Sequence, residues 1–316
     1  MTGNRLLSPP VAQPPLTQPP DPHPRRPRTP APAGAIDCHV HLFGPASRYP
    51  FHPGSRYTSA DALPETQIAL QDTLGLAGAV VVSGGGYGQE TRHLEEVLER
   101  FPDRFRGVAL LPNDVTKAHI ARLDRLGVRG ARFVSAGHHG ALPRLSARVA
   151  HLVAEFGWHV QFYPAGDDLL AHEEQLLSLP VPVVLDHFAA IPAAGGVGQP
   201  AFACLLRLLE TGRVWVKLSG PMRCDPGEFP YASVTPMAQA LVQHAPQRLL
   251  WGSDWPHVNM NGRQMPNDGD LFDLLSEWVP DAQTRERILV DHPREVYGFK
   301  PSRMAPPAGI EPTSSA

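Results

Sequence analysis

Cysteine is scarce in this 316-residue chain, which contains only Cys38, Cys204 and Cys224. They are too few and too widely spaced for a disulfide framework, and no CxxC pair is present to indicate a zinc knuckle. We therefore expect three reduced thiols in a cytoplasmic protein. Cys38 is not expected to be a nucleophile, because strand alternation points its side chain away from the face shared by Asp37 and His39.

The chain also lacks a long apolar run and a strong charge of one sign. No 18 consecutive apolar residues occur, so no transmembrane helix is expected. The formal net charge of −3 gives no electrostatic reason to expect a nucleic acid or an anionic membrane as a partner. The oligomeric state cannot be inferred from these features.

The two ends of the chain lack the periodic patterns of folded segments. Residues 1–33 contain eleven prolines and no continuous apolar stretch of the kind found in a secretory signal. They are predicted to form a disordered, partly polyproline II leader. Residues 300–316 are predicted to be a short disordered tail. Residues 34–299 then form a single domain.

Eight short apolar runs alternate with helical patterns in this domain. Such an alternation implies βαβ units with parallel strands, and about 265 residues match the usual size of a (β/α)8 barrel, roughly 250. We therefore predict an α/β fold, a single (β/α)8 TIM barrel. Clear helical patterns cover residues 90–101, 145–157 and 169–180. The strand runs are residues 35–40, 78–83, 107–111, 129–134, 158–163, 182–187, 213–218 and 248–253.

An open doubly wound sheet is the competing architecture. No GxGxxG sequence opens a helix after the first run, as a dinucleotide-binding sheet would require. The glycine-rich segment SGGGYGQ, residues 83–89, lacks the lysine of a phosphate-binding loop. These absences favour the barrel.

The barrel prediction places chemistry at the carboxyl ends of the strands and in the loops that follow them. His39 and His41 end the first run, and their alternate spacing aims both rings at one face. His187 ends the sixth run and Asp254 follows the eighth. If the barrel closes, these four side chains converge. Asp186, beside His187, is instead expected to face the helices or to cap one.

Other polar side chains occur at strand ends and just beyond them. Arg132 and Arg223 carry planar guanidinium groups that suit bidentate binding of carboxylates. They are candidates for substrate recognition in a protein with a slightly negative net charge. The remaining strand-end candidates are Ser83, Tyr163, His257 and Asn259.

Several segments resemble the amidohydrolase superfamily, in its branch of (β/α)8 hydrolases and decarboxylases. Two further segments, RYTSADA and DWPHVNM, resemble its 2-pyrone-4,6-dicarboxylate lactonases in particular. The resemblance spans residues 34 to about 299. The segments shared with the superfamily are DCHVHLFGP (37–45), GVRGARF (127–133), VVLDHFA (183–189) and LLWGSDWPHVNM (249–260).

The resemblance implies hydrolysis of a lactone. Asp254 would activate water as the general base, and His39, His41 and His187 would polarise the carbonyl. Arg132 and Arg223 fall on positions that bind substrate carboxylates in the lactonases. Other pocket positions match Tyr57, Ser83, Tyr163, His257 and Asn259, although ordinary loop packing explains Tyr57 equally well.

Whether a metal takes part is open at this point. The superfamily commonly holds zinc with residues equivalent to His39, His41, His187 and Asp254, which form a plausible zinc site. The lactonases are understood to keep these residues and to work without a metal, so we favour a metal-free reaction. A second metal is not expected, because no bridging carboxylated lysine or glutamate is apparent.

The chain departs from the lactonase pattern at two places. Tyr87 falls near the position of a family histidine, and the basic residue expected after the fourth strand is replaced by His138, His139 and later Arg144. A second carboxylate-binding group is therefore uncertain. Muconolactones and sugar-acid lactones remain possible substrates.

Three functions are compatible with the sequence. The first is a lactonase for a small carboxylate-bearing lactone, as used in the degradation of aromatic compounds. The second is a mononuclear zinc-dependent decarboxylase or amidohydrolase. The third is a catalytically silent barrel that binds a ligand, with the proline-rich leader as a docking segment.

Overall fold

The computed structural model of the chain describes residues 16–135, 145–164, 168–260 and 262–300. His138, His139 and Arg144 lie outside these ranges, as do residues 1–15 and residues 301–316. All three cysteines are described, and each is buried and unpaired. None of the helices within these ranges has the length and hydrophobicity needed to cross a membrane.

Eight parallel strands form one sheet in which neighbours follow the order of the chain. Their positions agree with the predicted runs to within two residues, and the predicted (β/α)8 barrel is confirmed. Continuous burial along the strands explains why the runs are apolar throughout. The barrel strands are β2 (Ile36–Val40), β4 (Gly78–Val82), β5 (Phe105–Leu110), β6 (Val128–Val134), β7 (His159–Tyr163), β8 (Val183–Leu185), β9 (Val214–Ser219) and β10 (Leu249–Gly252), with β1 (Leu16–Thr17) and β3 (Thr58–Ser59) forming a separate pair.

The barrel closes between the first and last of its strands. The backbone N–H of Asp254 donates to the carbonyl of His39 at 2.9 Å, and the N–H of His41 donates to the carbonyl of Trp255 at 2.7 Å. The closure therefore occurs at the carboxyl end of β2. It places the two histidines directly beside the segment that carries Asp254.

Helices surround the sheet and bury its outer face. Helix α3 shows typical end signals: the Thr116 hydroxyl accepts a hydrogen bond from the N–H of His119, and Gly127 ends the helix with φ of +101°. A π-helical segment, Arg287–Asp291, joins the last two helices. The helices are α1 (Pro64–Leu74), α2 (Arg92–Arg100), α3 (Lys117–Leu126), α4 (Ala147–Ala154), α5 (Asp168–Ser178), α6 (Pro200–Glu210), α7 (Thr235–His244), α8 (Asp268–Trp278), α9 (Ala282–Glu286) and α10 (His292–Tyr297).

Residues 16–33, the second half of the predicted leader, lie against the barrel. Thr17 is buried, and β1 pairs in parallel with β3. Further along, Nε of Arg28 lies 2.9 Å from a carboxylate oxygen of Asp273 in α8. The predicted disordered leader, residues 1–33, includes these residues, which make the contacts described here. Proline prevents a helix here, but an extended chain can still bond to partners that sequence periodicity does not reveal.

Candidate active site

Four side chains meet at the carboxyl end of the barrel: His39 in β2, His41 just after it, His187 after β8 and Asp254 after β10. Oδ1 of Asp254 lies 3.8 Å from Nε2 of His39 and 3.7 Å from Nε2 of both His41 and His187. The Nε2 atoms of His39 and His41 are 3.4 Å apart. All four residues are buried. The structure thus brings together the residues predicted to form the catalytic centre.

Asp37 fixes the backbone of the first histidine. The pairing of β2 with β4 shifts register between Asp37 and Val40. Oδ1 of Asp37 accepts hydrogen bonds from the N–H groups of His39 at 2.9 Å and Ser253 at 3.0 Å. Burial raises the pKa of Asp37 to about 7. Because this one side chain contacts both segments, it ties the histidine pair to the residue that precedes Asp254.

The backbone after β8 and β10 adopts a left-handed conformation. The φ angle is +51° at His187 and +67° at Asp254, and Phe188, Ala189 and Ala190 continue the turn with φ between +52° and +57°. Such a conformation costs roughly 1–2 kcal/mol for each residue that is not glycine. Strain of this kind concentrates at functional sites, where the surrounding structure enforces it. Both strained turns lie where the site residues leave their strands.

Gly220 provides space for the site from the loop after β9. Its φ is +52°, and a Cβ atom at this position would lie 2.8 Å from Nδ1 of His187 and 3.1 Å from Oδ2 of Asp254. Any other residue would be strained and would push these side chains apart. The sequence analysis did not single out this glycine, although the serine–glycine pair after an apolar run is a turn signal.

Hydrogen bonds hold the second ring nitrogens of His41 and His187. Nδ1 of His41 donates to the carbonyl of Val82 at 2.7 Å, and Nδ1 of His187 lies 2.9 Å from the Ser219 hydroxyl. A carbonyl oxygen can only accept, so Nε2 of His41 carries a lone pair. Burial lowers the pKa of both rings to about 4. Both imidazoles are therefore neutral at pH 7.

His39 contacts a buried charged network. Its Nδ1 lies 3.2 Å from Nζ of Lys217 and 3.2 Å from Oδ1 of Asp186. Nη2 of Arg132 lies 3.1 Å from Oδ2 of Asp186. The prediction that Asp186 faces the helices is therefore wrong. Strand alternation puts Asp186 on the same face as Val184, which lies beside Trp215 of β9, and therefore next to Lys217. It is His187 that leaves the alternation, because its backbone turns with φ of +51°.

The sequence analysis missed Lys217, which lies in β9 and is completely buried. A signal was available: VWVKLS is an apolar run with one charged residue, and a lysine is almost never fully buried unless it is paired. Asp186 supplies that pairing, with a distance of 3.2 Å between Nζ and Oδ1.

Arg223 covers the other side of Asp254. Its Nε and Nη2 atoms lie 2.8 Å and 2.7 Å from Oδ2 of Asp254. Burial alone would raise the pKa of Asp254, but Arg223 and the three histidines lower it well below its usual range. Asp254 is therefore an ionised carboxylate with one oxygen capped by Arg223 and the other facing the imidazoles.

A cavity of about 480 Å³ opens beside this cluster. Among the described residues that line it, four arginines accompany a single carboxylate, Asp254. Arg56 and Arg263 were not predicted, because they lie in loops without a periodic pattern. The lining residues are His41, Arg56, Tyr57, Gly84, Gly85, Arg132, Tyr163, His187, Met222, Arg223, Asp254, Val258, Asn259 and Arg263.

Three of the predicted pocket residues without charge line the cavity: Tyr57, Tyr163 and Asn259. Ser83 and His257 do not. Nε2 of His257 lies 3.1 Å from Oδ1 of Asp268, because the loop after β10 turns at His257 with φ of +59°. Ser83 meets the site through its backbone carbonyl, which accepts a hydrogen bond from Arg132 at 3.0 Å.

The donor set fits one divalent metal ion. Three imidazole nitrogens and a carboxylate oxygen are the ligands that zinc prefers. Here Oδ1 of Asp254 lies 3.7–3.8 Å from the three Nε2 atoms, and the Nε2 atoms of His39 and His41 are 3.4 Å apart. His39, His187 and Asp254 have ligand atoms that all lie within 4.8 Å. One feature differs from an ordinary zinc site: Nδ1 of His39 faces an ammonium group as well as a carboxylate.

Residues 36–299 match the family described as Amidohydrolase. The chain is 34% identical to a 4-sulfomuconolactone hydrolase of Hydrogenophaga intermedia, over 84% of this chain and 89% of the relative. It is also 34% identical to a 2-pyrone-4,6-dicarboxylate hydrolase of Comamonas testosteroni, over 86% and 92% of the two chains.

A solved structure is also similar. It is a probable 2-pyrone-4,6-dicarboxylic acid hydrolase of Acinetobacter baumannii with citric acid bound. The TM-score is 0.75 at 25% identity, and the match covers 84% of this chain and all of that one.

Proposed function

Since the chain belongs to the amidohydrolase family, we propose that it hydrolyses a small lactone carrying carboxylate or similar anionic groups. The observation that carries this proposal is an ionised carboxylate with the imidazoles of His41 and His187 at one end of an arginine-lined cavity, and His39 buried directly behind them. The two hydrolases named above act, by their names, on a sulfomuconolactone and a pyrone dicarboxylate. Both substrates are lactones with anionic substituents.

Charge in the cavity favours an anionic substrate. Arg263 donates to the backbone carbonyls of Met222, Asp225 and Gly227, which are neutral, and the carboxylate of Asp225 lies close enough for Arg263 to lower its pKa. Arg132 is paired with Asp186, which also faces Lys217. A substrate carboxylate can accept two parallel hydrogen bonds from a guanidinium group. A cavity of about 480 Å³ is in the range of small-molecule sites.

The proposed reaction uses Asp254 as the base. A water oxygen bonds to the lactone carbonyl carbon while one of its protons passes to Oδ1 of Asp254. The ring C–O bond then breaks, and the leaving oxygen takes up the proton that Asp254 received, which regenerates the carboxylate. His39, His41 and His187 surround the position of the carbonyl oxygen, and ring N–H groups among them would stabilise the charge that develops there. The low pKa values of His41 and His187 mean that both rings are neutral. Because the hydrogen of His41 lies on Nδ1, its Nε2 is an acceptor, and the N–H donors are left to His39 and His187.

Arg223 couples substrate binding to this base. In the free protein it forms a two-pronged contact with Oδ2 of Asp254. A substrate carboxylate in the cavity would share the same guanidinium group and weaken its hold on Asp254. The carboxylate of Asp254 would then become more basic when the substrate is bound.

A zinc-dependent decarboxylase or amidohydrolase is the second candidate, because the spacing of the four ligand atoms suits a metal. His39, His41, His187 and Asp254 would hold the ion. When bound, a zinc ion would polarise a carbonyl and lower the pKa of a bound water.

A panel of lactones tests the proposal. It should include 2-pyrone-4,6-dicarboxylate, 4-sulfomuconolactone, a sugar-acid lactone and the uncharged 2-pyrone, followed by ultraviolet absorbance and by proton release. We expect hydrolysis of at least one anionic lactone, with kcat/KM at least about 100-fold above that for 2-pyrone, since charge-assisted hydrogen bonds contribute most of the recognition. Equal rates on 2-pyrone, or no hydrolysis of any member of the panel, would reject it.

A further inference from the structure

Lys217 is a charged residue inside the barrel that the reaction above does not use. Its side chain is completely buried. Nζ lies 3.2 Å from Nδ1 of His39 and 3.2 Å from Oδ1 of Asp186. A buried ammonium group is tolerated only when it is paired, and Asp186 provides the opposite charge. The lysine therefore contacts a site histidine from the side opposite to Asp254.

The contact determines where the ring hydrogen of His39 lies. An ammonium group has donors and no acceptor, so Nδ1 of His39 accepts and the hydrogen is on Nε2. The competing contact of Nδ1 with Asp186 is equally short, but Oδ1 of Asp186 takes part in no hydrogen bond of good geometry. The geometry of the two contacts therefore favours Lys217 as the hydrogen-bond partner of Nδ1 of His39.

The same reasoning explains the close approach of the two histidines. His41 donates through Nδ1 to the carbonyl of Val82, so its Nε2 is an acceptor. With the hydrogen of His39 on Nε2, the 3.4 Å contact between the two Nε2 atoms joins a donor and an acceptor. Two lone pairs would otherwise face each other in a buried site.

We propose that Lys217 is a positioning residue that holds His39 as an Nε2–H donor. Building on the proposed lactonase function, this N–H, which meets Nε2 of His41 in the free protein, would be shared with the substrate carbonyl oxygen when that oxygen reaches the two rings. It also makes His39 a poor metal ligand, because a ligating nitrogen must offer a lone pair. The spacing of the four side chains suits a metal. Lys217 would nevertheless favour hydrogen bonding by His39 over metal binding.

Nitrogen NMR on the wild-type protein tests, without any lactone, whether the ring hydrogen of His39 lies on Nε2. Protonated and unprotonated ring nitrogens of neutral histidine have well separated chemical shifts. In chelator-treated protein labelled with 15N-histidine, the signals of His39 are assigned by their loss in His39→Asn. We expect an unprotonated Nδ1 and a protonated Nε2. The reverse assignment would overturn the proposal, and this result does not depend on whether the protein hydrolyses lactones.

Zinc binding to Lys217→Met tests whether Lys217 makes His39 a poor metal ligand. Methionine keeps the length of the side chain and removes the donor, so His39 can turn its Nδ1–H toward Asp186 and offer Nε2 to the metal. We expect zinc to bind the variant about 10–100-fold more tightly than the wild type, the usual effect of a ligand's hydrogen-bond partner. Lys217→Arg keeps a donor and should bind zinc like the wild type. Equal zinc affinity in Lys217→Met and the wild type would contradict the proposal.

Kinetics separate positioning from general damage to the barrel. In metal-free protein, Lys217→Met should lower kcat at least about tenfold and leave KM nearly unchanged, since one oxyanion donor is worth roughly 100–1000-fold. His159→Phe is the matched control. His159, which lies in β7, is buried like Lys217 but is not a site residue. Equal losses of kcat in both variants would mean that Lys217 acts only through the stability of the core.

Discussion

Arg223 and Asp254 form a two-pronged ion pair at the end of the barrel. Nε and Nη2 of the arginine lie 2.8 Å and 2.7 Å from Oδ2 of the aspartate. Oδ1 remains directed at the three histidines, 3.7–3.8 Å from their Nε2 atoms. One oxygen is therefore available for chemistry while the other is held. The proposed base and the arginine proposed to bind the substrate are therefore in direct contact.

Replacing the base should remove turnover and leave the fold intact. Asp254→Asn keeps the size of the side chain and loses the acceptor for the water proton. We expect kcat to fall about 100–10,000-fold, the range for loss of a general base. Lactone hydrolysis is followed by ultraviolet absorbance and folding by circular dichroism. Asp268→Asn is a matched control, since Asp268 is buried against His257. Unchanged turnover in Asp254→Asn would rule out this mechanism.

Removing Arg223 should move the pH profile in a defined direction. Burial raises the pKa of Asp254 and Arg223 lowers it, so Arg223→Met should raise that pKa. The base is active when ionised, so the acidic limb of kcat/KM should move to higher pH. KM should also rise, because a carboxylate-binding group is lost. Arg223→Lys keeps the charge and should shift the limb less. An acidic limb that stays in place in Arg223→Met would argue against Asp254 as the base.

Metal removal distinguishes the two candidate reactions. We expect chelated protein, shown to be metal-free by elemental analysis, to retain its lactonase activity. The reason is that neutral imidazole N–H groups and Asp254 suffice for an activated ester. Loss of activity on chelation, restored by added zinc, would favour the zinc-dependent alternative.

Stability should fall as the pH is lowered from about 6.5 to about 4. Burial lowers the pKa of His41 and His187 to about 4 and that of His159 to about 3. In this window the unfolded chain binds protons that the folded protein excludes, so stability rises with pH, by at most about 3 kcal/mol per histidine. Asp37 opposes the trend, since burial raises its pKa to about 7 and the folded form binds the extra proton. Three histidines act in one direction and one aspartate in the other, so we expect the net stability to fall on acidification.

Urea unfolding followed at several pH values measures this dependence. His159→Phe removes one of the titrating groups and should reduce the slope without touching the catalytic cluster. Stability that rose on acidification would show that Asp37 dominates the balance.

The segment before the barrel should influence substrate affinity. The hydroxyl of Thr17 accepts a hydrogen bond from the N–H of Asn259 at 3.2 Å, and β1 pairs with β3 next to Tyr57. Thr17 thus holds together two loops that line the cavity. Thr17→Val should raise KM a few-fold with little change in kcat, as expected for loss of one hydrogen bond worth about 1 kcal/mol. Thr17→Ser keeps the hydroxyl and should behave like the wild type. If both variants bind substrate equally well, this contact does not shape the pocket.

The sequence by itself determined the architecture and pointed to the four side chains that meet at the candidate site. Apolar runs of strand length predicted all eight barrel strands, because parallel strands covered on both faces must be apolar throughout. The rule that barrel chemistry lies at strand ends then selected His39, His41, His187 and Asp254. Both inferences use local periodicity, which is visible in the sequence, together with the expectation that the strands close into a barrel.

Only the tertiary structure decided which partner each charged group has. Lys217 and His39 are 178 positions apart in the chain and touch because β9 and β2 lie in one closed barrel. Asp186 faces Arg132 and Lys217, and His187 reaches the site only because its backbone turns with φ of +51°. The direction of a side chain beyond the last paired residue is set by local backbone angles and by its neighbours in space. No periodic pattern records either of these, so the network beneath the histidines became visible only once the chain was folded.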